Sequence, residues 1–227
     1  MPRFRKGLFP PRMNVPRVVD HAQRRREVTA VATELVAERG RAALTARNVA
    51  AAAECSTTVV SHYFTDMADL LRATYAAAAD RARLRLEAVL AADRSDVQGF
   101  VEALLPLDAA RRRDWSIWFA FWSEALTSEE FSADQRARAR GTTARLAKML
   151  TRLVELGRLP ASCDVTIAAR RLGALIPGIA GQALFDPAGW PPARQRAVVA
   201  DELALLGLRD VGGVTPSPAR DRATLDR

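Results

Sequence analysis

The sequence predicts an all-α protein of about nine helices, in which a small amino-terminal three-helix domain precedes a larger helical domain. Two observations support this fold class. Ala, Leu and Arg, all good helix formers, dominate the 227 residues. The chain contains no Asn-Gly or Asp-Gly turn and no sustained alternation of apolar and polar residues, which are the usual signals of β-hairpins. With 49% hydrophobic residues, it can form a sizeable core.

The first four helices are predicted from apolar spacing and capping residues. The first runs from about Ala22 to Arg39 and stops at Gly40, a typical carboxy-terminal glycine. Hydroxyl and carboxylate side chains accept hydrogen bonds from the first free N–H groups of a helix. On this basis the second helix is capped by Thr45, the third by Ser56 with its end near Tyr63, and the long fourth by Thr65 or Asp66.

Five further helices are predicted in the larger domain, each bounded by a cap or a breaker. They run from Ser95 to just before Pro106, from Asp108 through the aromatic run at 115–122, from about Ser128 to Leu156 before Gly157, from Asp164 to about Phe185 with an interruption at Pro177-Gly178, and from Pro191-Pro192 to Gly207. The predicted domains are therefore a disordered basic arm (1–20), the three-helix domain (21–71), the larger domain (72–208) and a disordered tail (209–227).

Positive charge is concentrated at the start of the chain. Residues 1–47 contain eleven basic and four acidic side chains, whereas the whole chain has a formal charge of only +8. A basic first fifth on a nearly neutral body suggests a binding surface for a polyanion such as nucleic acid. An Arg-rich solvated surface without a partner explains the charge alone equally well.

Metal, cofactor and membrane chemistry find no support in the composition. Cys55 and Cys163 fit no metal-binding spacing, and only His21 and His62 could assist them. Two isolated cysteines are typical of reduced thiols, so a cytoplasmic location is expected. No apolar run reaches the roughly 18 residues that a membrane span requires. Neither a catalytic constellation nor a cofactor motif is recognisable, and Met13 is an alternative start of the chain.

The third helix has two chemically different sides when it is drawn at about 100° per residue. Val60 and Phe64 share the side that can pack inward. Small polar residues and an imidazole occupy another side, flanked by Val59 and Tyr63. Their hydroxyls can contact base edges or phosphates, and the Val59 methyls can contact a thymine methyl. The candidate DNA contacts are Thr45, Arg47, Ser56, Thr57, Thr58, Val59, Ser61, His62 and Tyr63.

This segment resembles the TetR family of transcriptional regulators. The resemblance rests on Thr45-Ala46-Arg47-Asn48-Val49-Ala50, Ser56-Thr57, His62-Tyr63-Phe64 and Leu70-Leu71. It implies a helix-turn-helix DNA-binding domain, a homodimer and a ligand-binding and dimerisation domain that follows. The family usually has a glycine where this chain has Glu54, and a lysine where it has Met67. The second difference removes one expected phosphate contact, which the basic arm would replace.

The aromatic run Asp114–Glu124 is the second unusual segment. Trp115, Trp118 and Trp122 fall within about 100° of a helical wheel, so they can form a cage for a quaternary ammonium ligand by cation–π attraction. They can equally fill the centre of a helical core, and this second interpretation is favoured. The candidate ligand contacts are Trp115, Trp118, Trp122, Ser123 and Glu124, with Gln182 opposite.

The larger domain is similar to the carboxy-terminal domain of the BetI-type group, which controls choline-to-betaine synthesis. This similarity lies in LPLDAARRRDWSIWFAFWSEAL and LGALIPGIAGQAL. Where that group is expected to have Asp-Gly followed by an aromatic residue, this chain has Pro177-Gly178 and Ala180, which argues against choline itself. The resulting hypothesis is a regulator, more often a repressor in this family, that leaves a palindromic operator when it binds a small molecule. The alternative is a helical protein-interaction scaffold without affinity for duplex DNA.

Overall fold

The computed structural model describes residues 20–209, which contain nine α-helices, one turn of 3-10 helix over Arg41–Ala43 and no β-strand. The predicted all-α class is therefore confirmed. The helices are α1 (His21–Arg39), α2 (Ala46–Ala52), α3 (Thr57–Tyr63), α4 (Met67–Ala92), α5 (Val97–Leu104), α6 (Ala109–Ala125), α7 (Glu129–Glu155), α8 (Val165–Phe185) and α9 (Pro192–Leu205). The predicted arm, apart from Asp20, and the predicted tail, apart from Arg209, lie outside the described residues.

Side-chain caps set the beginnings of most helices. Thr45, Ser56, Asp66, Asp108 and Asp164 each accept a backbone N–H of the first turn that follows, as predicted. The prediction for α5 was wrong by one residue. Asp96, and not Ser95, caps this helix because its carboxylate accepts the Gly99 N–H at 2.7 Å.

The predicted interruption of the eighth helix at Pro177 was also wrong. Helix α8 continues through this residue to Phe185. Proline removes only one N–H donor. Buried side chains on both sides of it, among them Leu172 and Ile179, pack into the body and hold the two halves in line.

The amino-terminal domain packs α1, α2 and α3 around a small apolar core. Val28, Val49, Val60 and Phe64 are all at most 2% exposed. Gly40 ends α1 with a φ of +74°, a conformation that costs other residues energy. This core fixes the direction in which α3 presents its other side.

The turn between α2 and α3 is the point of backbone strain in the amino-terminal domain. Glu54 has a φ of +50°, the single positive value for a residue other than glycine within 20–209. The Cys55 N–H donates to the Ala50 carbonyl at 2.9 Å, and the Glu54 N–H donates to the Ala51 carbonyl at 3.4 Å. This pair of bonds is a Schellman ending, which normally places glycine at the position of Glu54.

The larger domain is organised around α6. This helix packs against α1, α4 and α7, and α7 in turn packs along α8. Helix α4 starts beside the amino-terminal domain and extends along the body, so α4 and α6 both connect the two parts. No helix within residues 20–209 is long and apolar enough to cross a membrane.

Candidate DNA interface and aromatic cluster

The outward side of α3 consists of four polar side chains. Thr57, Thr58, Ser61 and His62 are exposed, whereas Val60 on the opposite side is fully buried. The seven residues of α3 extend over about 10 Å. The four side chains therefore share the exposed face of one short helix that the core holds in place. An α-helix fits into the DNA major groove.

The flanking candidates extend this surface at both ends of α3. Ser56 is exposed, and its hydroxyl oxygen accepts the Val59 N–H at 3.3 Å. Val59 and Tyr63 are half-buried, so each offers only part of its side chain to a partner. The Ser61 hydroxyl donates to the Thr57 carbonyl at 3.1 Å, which leaves its oxygen lone pairs as acceptors for a contacting group.

An imidazole and phenol cluster joins the end of α3 to the beginning of α1. The His21 Nδ1 atom lies 3.2 Å from the Tyr63 hydroxyl. The His62 ring contacts the Tyr63 ring edge-on at a centroid distance of 4.9 Å and lies 5.8 Å from the His21 ring. His21 was not among the candidate contacts, and its role depends on a contact across 42 positions that no local pattern reveals.

The beginning of α2 contributes the remaining candidates. Thr45 is exposed and caps α2 by accepting the Asn48 N–H at 3.2 Å. Arg47 is exposed in the first turn and makes no hydrogen bond or ion pair with any other described residue. A guanidinium in this state can pair with a phosphate without breaking an internal contact.

Arg25 on α1 stabilises the position of α3 through contacts at the carboxy-terminal end of that helix. Its guanidinium lies 4.6 Å from the Phe64 ring centroid, and its Nη2 donates to Asp69 at 3.1 Å. The Asp69 carboxylate also accepts the Thr65 N–H at 3.2 Å. Arg25 therefore ties α1 to the junction of α3 and α4. The sequence contains no signal for this role beyond the general excess of arginine.

In the larger domain, four aromatic residues of α6, Trp115, Trp118, Phe119 and Trp122, form what we call the aromatic cluster. The Trp115 ring lies 4.7 Å from that of Trp118 and 5.8 Å from that of Trp122, both edge-on. Phe119 lies 5.4 Å from both Trp115 and Trp122. Edge-to-face packing of this kind stabilises a core.

The indole N–H groups of this cluster differ in their partners. Trp115 donates to the Leu104 carbonyl at 2.7 Å and is 3% exposed. Trp118 is 8% exposed, and its Nε1 has no acceptor among the described residues. A buried donor without a partner costs free energy. A ligand with a hydrogen-bond acceptor would therefore be stabilised beside Trp118.

The other three ligand candidates have different surroundings. The Ser123 hydroxyl donates to the Ala120 carbonyl at 2.7 Å and is exposed. Glu124 pairs with Arg41 at 2.8 Å, at the junction of the two domains. Gln182 is exposed on α8. Ring contacts join the three tryptophans with one another.

Buried polar groups tie α4 to α6 and α7 next to the aromatic cluster. Asp114 is 1% exposed and lies 2.6 Å from Arg81 and 3.1 Å from Arg85 of α4. The Tyr75 hydroxyl of α4 donates to Gln135 of α7 at 3.1 Å. Burial raises the pKa of Tyr75, and the positive charge of Arg138 partly opposes that shift. Residues 20–209 contain no group of three or more side chains able to hold a metal ion.

An exposed polar helix on a three-helix domain, joined to a larger helical body, defines the class of helix-turn-helix transcription regulators. Two family models match the sequence: bacterial regulatory proteins of the tetR family over residues 28–74, and the carboxy-terminal domain of BetI-type transcriptional repressors over residues 93–207. The second match covers half of the chain. The chain belongs to the TetR family and has a BetI-type carboxy-terminal domain. This is a family of transcriptional regulators and not of enzymes.

Individual relatives agree with this assignment. The HTH-type transcriptional regulator PksA of Bacillus subtilis is 26% identical over 200 residues, which cover 86% of this chain and 96% of PksA. The HTH-type transcriptional regulator BetI of Burkholderia mallei is 29% identical over 171 residues, which cover 69% of this chain and 79% of BetI. The fold resembles that of a transcriptional regulator from Saccharomonospora viridis, solved in complex with choline. That structure has a TM-score of 0.74 at 23% identity and covers 81% of this chain and 96% of its own.

Proposed function

We propose that the chain forms a cytoplasmic homodimer that represses transcription by binding a palindromic operator, and that a small molecule bound in the larger domain releases it. The observation that carries the DNA-binding part is the exposed face of α3, backed by the buried Val60 and Phe64. In this proposal the two α3 helices of a dimer enter successive major grooves, about 34–36 Å apart.

The proposed contacts follow from the chemistry of each side chain. Hydroxyl groups at the start of α3 contact base edges, whereas His62 and Tyr63 at its end, together with α2, contact phosphates. Phosphate contacts set affinity and its salt dependence, and base contacts set sequence preference. The proposed DNA-binding residues are Thr45, Arg47, Ser56, Thr57, Thr58, Val59, Ser61, His62 and Tyr63.

The proposed dimer surface is the exposed side of α8 and α9. Ile167 and Phe185 on α8 are 53% and 84% exposed, and Leu205 on α9 is 77% exposed. Ala174 and Gly178 are also exposed, and helical spacing places them on the same side of α8 as Ile167 and Phe185. Small residues between large apolar ones allow two helices to approach closely, so this side can pair with its copy by a twofold axis.

The proposed ligand site is the aromatic cluster. Its support is the Trp118 N–H without an acceptor and the BetI-type domain match. Asp114, the buried carboxylate within residues 20–209, is already paired with Arg81 and Arg85. A cationic ligand would therefore be held by ring faces alone, so we expect a ligand that also presents a hydrogen-bond acceptor to Trp118. A thermal-shift screen of choline, other amines and neutral metabolites would identify it.

Binding to DNA from the region upstream of the chain's own gene tests the proposed function. Fluorescence anisotropy, measured between 50 and 200 mM salt, should show tighter binding to this DNA than to scrambled DNA of equal length. With six to ten phosphate contacts in a dimer, affinity should fall about 1,000-fold or more across this range.

Thr58→Ala should lower the preference for the upstream DNA, while Thr151→Ala, which replaces an exposed threonine on α7, should not. Equal affinity for both DNAs would favour the scaffold alternative.

A further inference from the structure

A groove of about 490 Å³ lies on the body between the end of α4, α5 and the middle of α7. We call it the distal groove. Its apolar lining comes from Leu90 of α4, Phe100 of α5 and Met149 of α7. Phe100 and Met149 are 0% and 6% exposed, so packing in the core holds these walls in place. Preformed apolar grooves of this volume are typical of small-molecule sites.

Three cations surround this apolar lining. Arg94 follows the end of α4, and Arg145 and Lys148 lie one turn apart on α7. All three are exposed, and none has an ion pair with another residue of the part of the chain that the structure describes. The one acidic side chain in the lining, Glu87, pairs with Arg83 at 2.7 Å. The groove therefore presents an uncompensated positive rim above an apolar floor.

This positive rim is remote from the candidate DNA interface. Helix α4 leads from the amino-terminal domain to the groove, and the 23 steps from Met67 to Leu90 span roughly 35 Å at 1.5 Å per residue. DNA held by α3 of the same protomer would not reach Arg94, Arg145 or Lys148. The groove also differs from the aromatic cluster, with which it shares no residue.

We propose that the distal groove binds a free single-chain anionic amphiphile, a medium-chain carboxylate in chemical class. The carboxylate lies between Arg94, Arg145 and Lys148, and the alkyl chain lies on Leu90 and Ala91, which the buried Phe100 and Met149 support from beneath. Guanidinium and ammonium groups donate charge-assisted hydrogen bonds to the carboxylate oxygens. Burial of the chain supplies most of the affinity, and the cations select the sign of the charge.

Isothermal titration calorimetry of the full chain without DNA tests this site. The probes are octanoate, decanoate, decanol and decyltrimethylammonium, each below its aggregation concentration. Each buried methylene should tighten binding about fourfold, so decanoate, which has two more methylenes, should bind about fifteenfold tighter than octanoate. Decanoate should also bind at least about tenfold tighter than decyltrimethylammonium, because the rim repels a cation.

Paired variants locate the site. Arg145→Gln combined with Lys148→Gln should weaken decanoate about tenfold and leave decanol unchanged, which separates loss of charge from loss of fold. Arg140→Gln, an exposed position on α7 that is not part of the groove lining, should change neither. If the double variant and the unaltered chain bound decanoate equally well, the ligand would lie elsewhere. If decyltrimethylammonium bound more tightly than decanoate, the groove would not select an anion. Either result overturns the proposal. Because no DNA is present, neither result bears on operator binding.

Discussion

At the scale of single residues, Glu54 has an unfavourable left-handed backbone conformation. The α2–α3 turn keeps both hydrogen bonds of a Schellman ending around a non-glycine residue with a φ of +50°. The left-handed conformation costs such a residue about 1 kcal/mol or more. In the proposed complex this exposed carboxylate would also lie near the phosphates.

Replacement of Glu54 separates the effect of backbone strain on stability from the effect of the negative charge on DNA binding. Glu54→Gly should raise the free energy of unfolding by about 0.5–1 kcal/mol, because relief of the strain exceeds the greater entropy of glycine in the unfolded chain. Glu54→Gln keeps the strain and should leave stability unchanged. Both variants should tighten DNA binding, since both remove the negative charge. Urea denaturation measures the free energy of unfolding, and anisotropy measures DNA affinity. Equal stability of the two variants would show that Glu54 is not strained.

Arg47 has no internal partner in the described residues, so its replacement should act on DNA alone. Arg47→Gln should weaken binding by a similar factor on all sequences and reduce the slope of log affinity against log salt by about one unit per protomer. Arg140→Gln on α7 serves as the control for a general loss of charge. A changed sequence preference with an unchanged salt slope would show that Arg47 contacts a base and not a phosphate.

At the scale of elements, the ion cluster of Asp114 joins α6 to α4 in addition to their apolar packing. Asp114→Asn should lower the free energy of unfolding by about 2–3 kcal/mol, because it leaves two arginines facing each other around a neutral side chain. This is less than for a fully buried pair, because Arg81 is 43% exposed and partly solvated. Thermal unfolding measures the change.

The exposed pair of Arg83 and Glu87 on α4 provides the matched control for Asp114. Arg83→Gln should not move the melting temperature, because solvent screens this pair. If Asp114→Asn melted at the same temperature as Arg83→Gln, the cluster would not contribute to the attachment of α6.

Local chemistry predicted most helix boundaries, but not how the helices pack against one another. Caps such as Thr45, Ser56 and Asp108, and the glycine after α1, act within a few residues, so the sequence predicts them correctly. The ion pair of Glu124 with Arg41 and the exposure of Gln182 depend on how distant helices pack, which periodicity alone does not contain. Continuity of α8 through Pro177 was missed for the same reason, since packing outweighs one lost hydrogen bond.

At the scale of the whole molecule, the proposed function requires two chains. Phe185→Arg, on the exposed side of α8, should convert the dimer into a monomer and weaken operator binding strongly, because buried charge disfavours an apolar interface. Leu126→Arg is the control: Leu126 is 87% exposed but lies at the end of α6, outside the proposed dimer surface. Sedimentation velocity measures both variants. A dimeric Phe185→Arg would exclude this side of α8 from the interface.

Selection of bound duplexes from a random DNA library measures whether α3 reads a specific DNA sequence as part of a twofold dimer. We expect enrichment of one palindromic sequence whose half-sites lie about one helical turn apart. Thr57→Ala together with Thr58→Ala should change the enriched bases within each half-site. A library that remains random after repeated selection, at a salt concentration where the protein still binds DNA, would show that α3 does not recognise a DNA sequence.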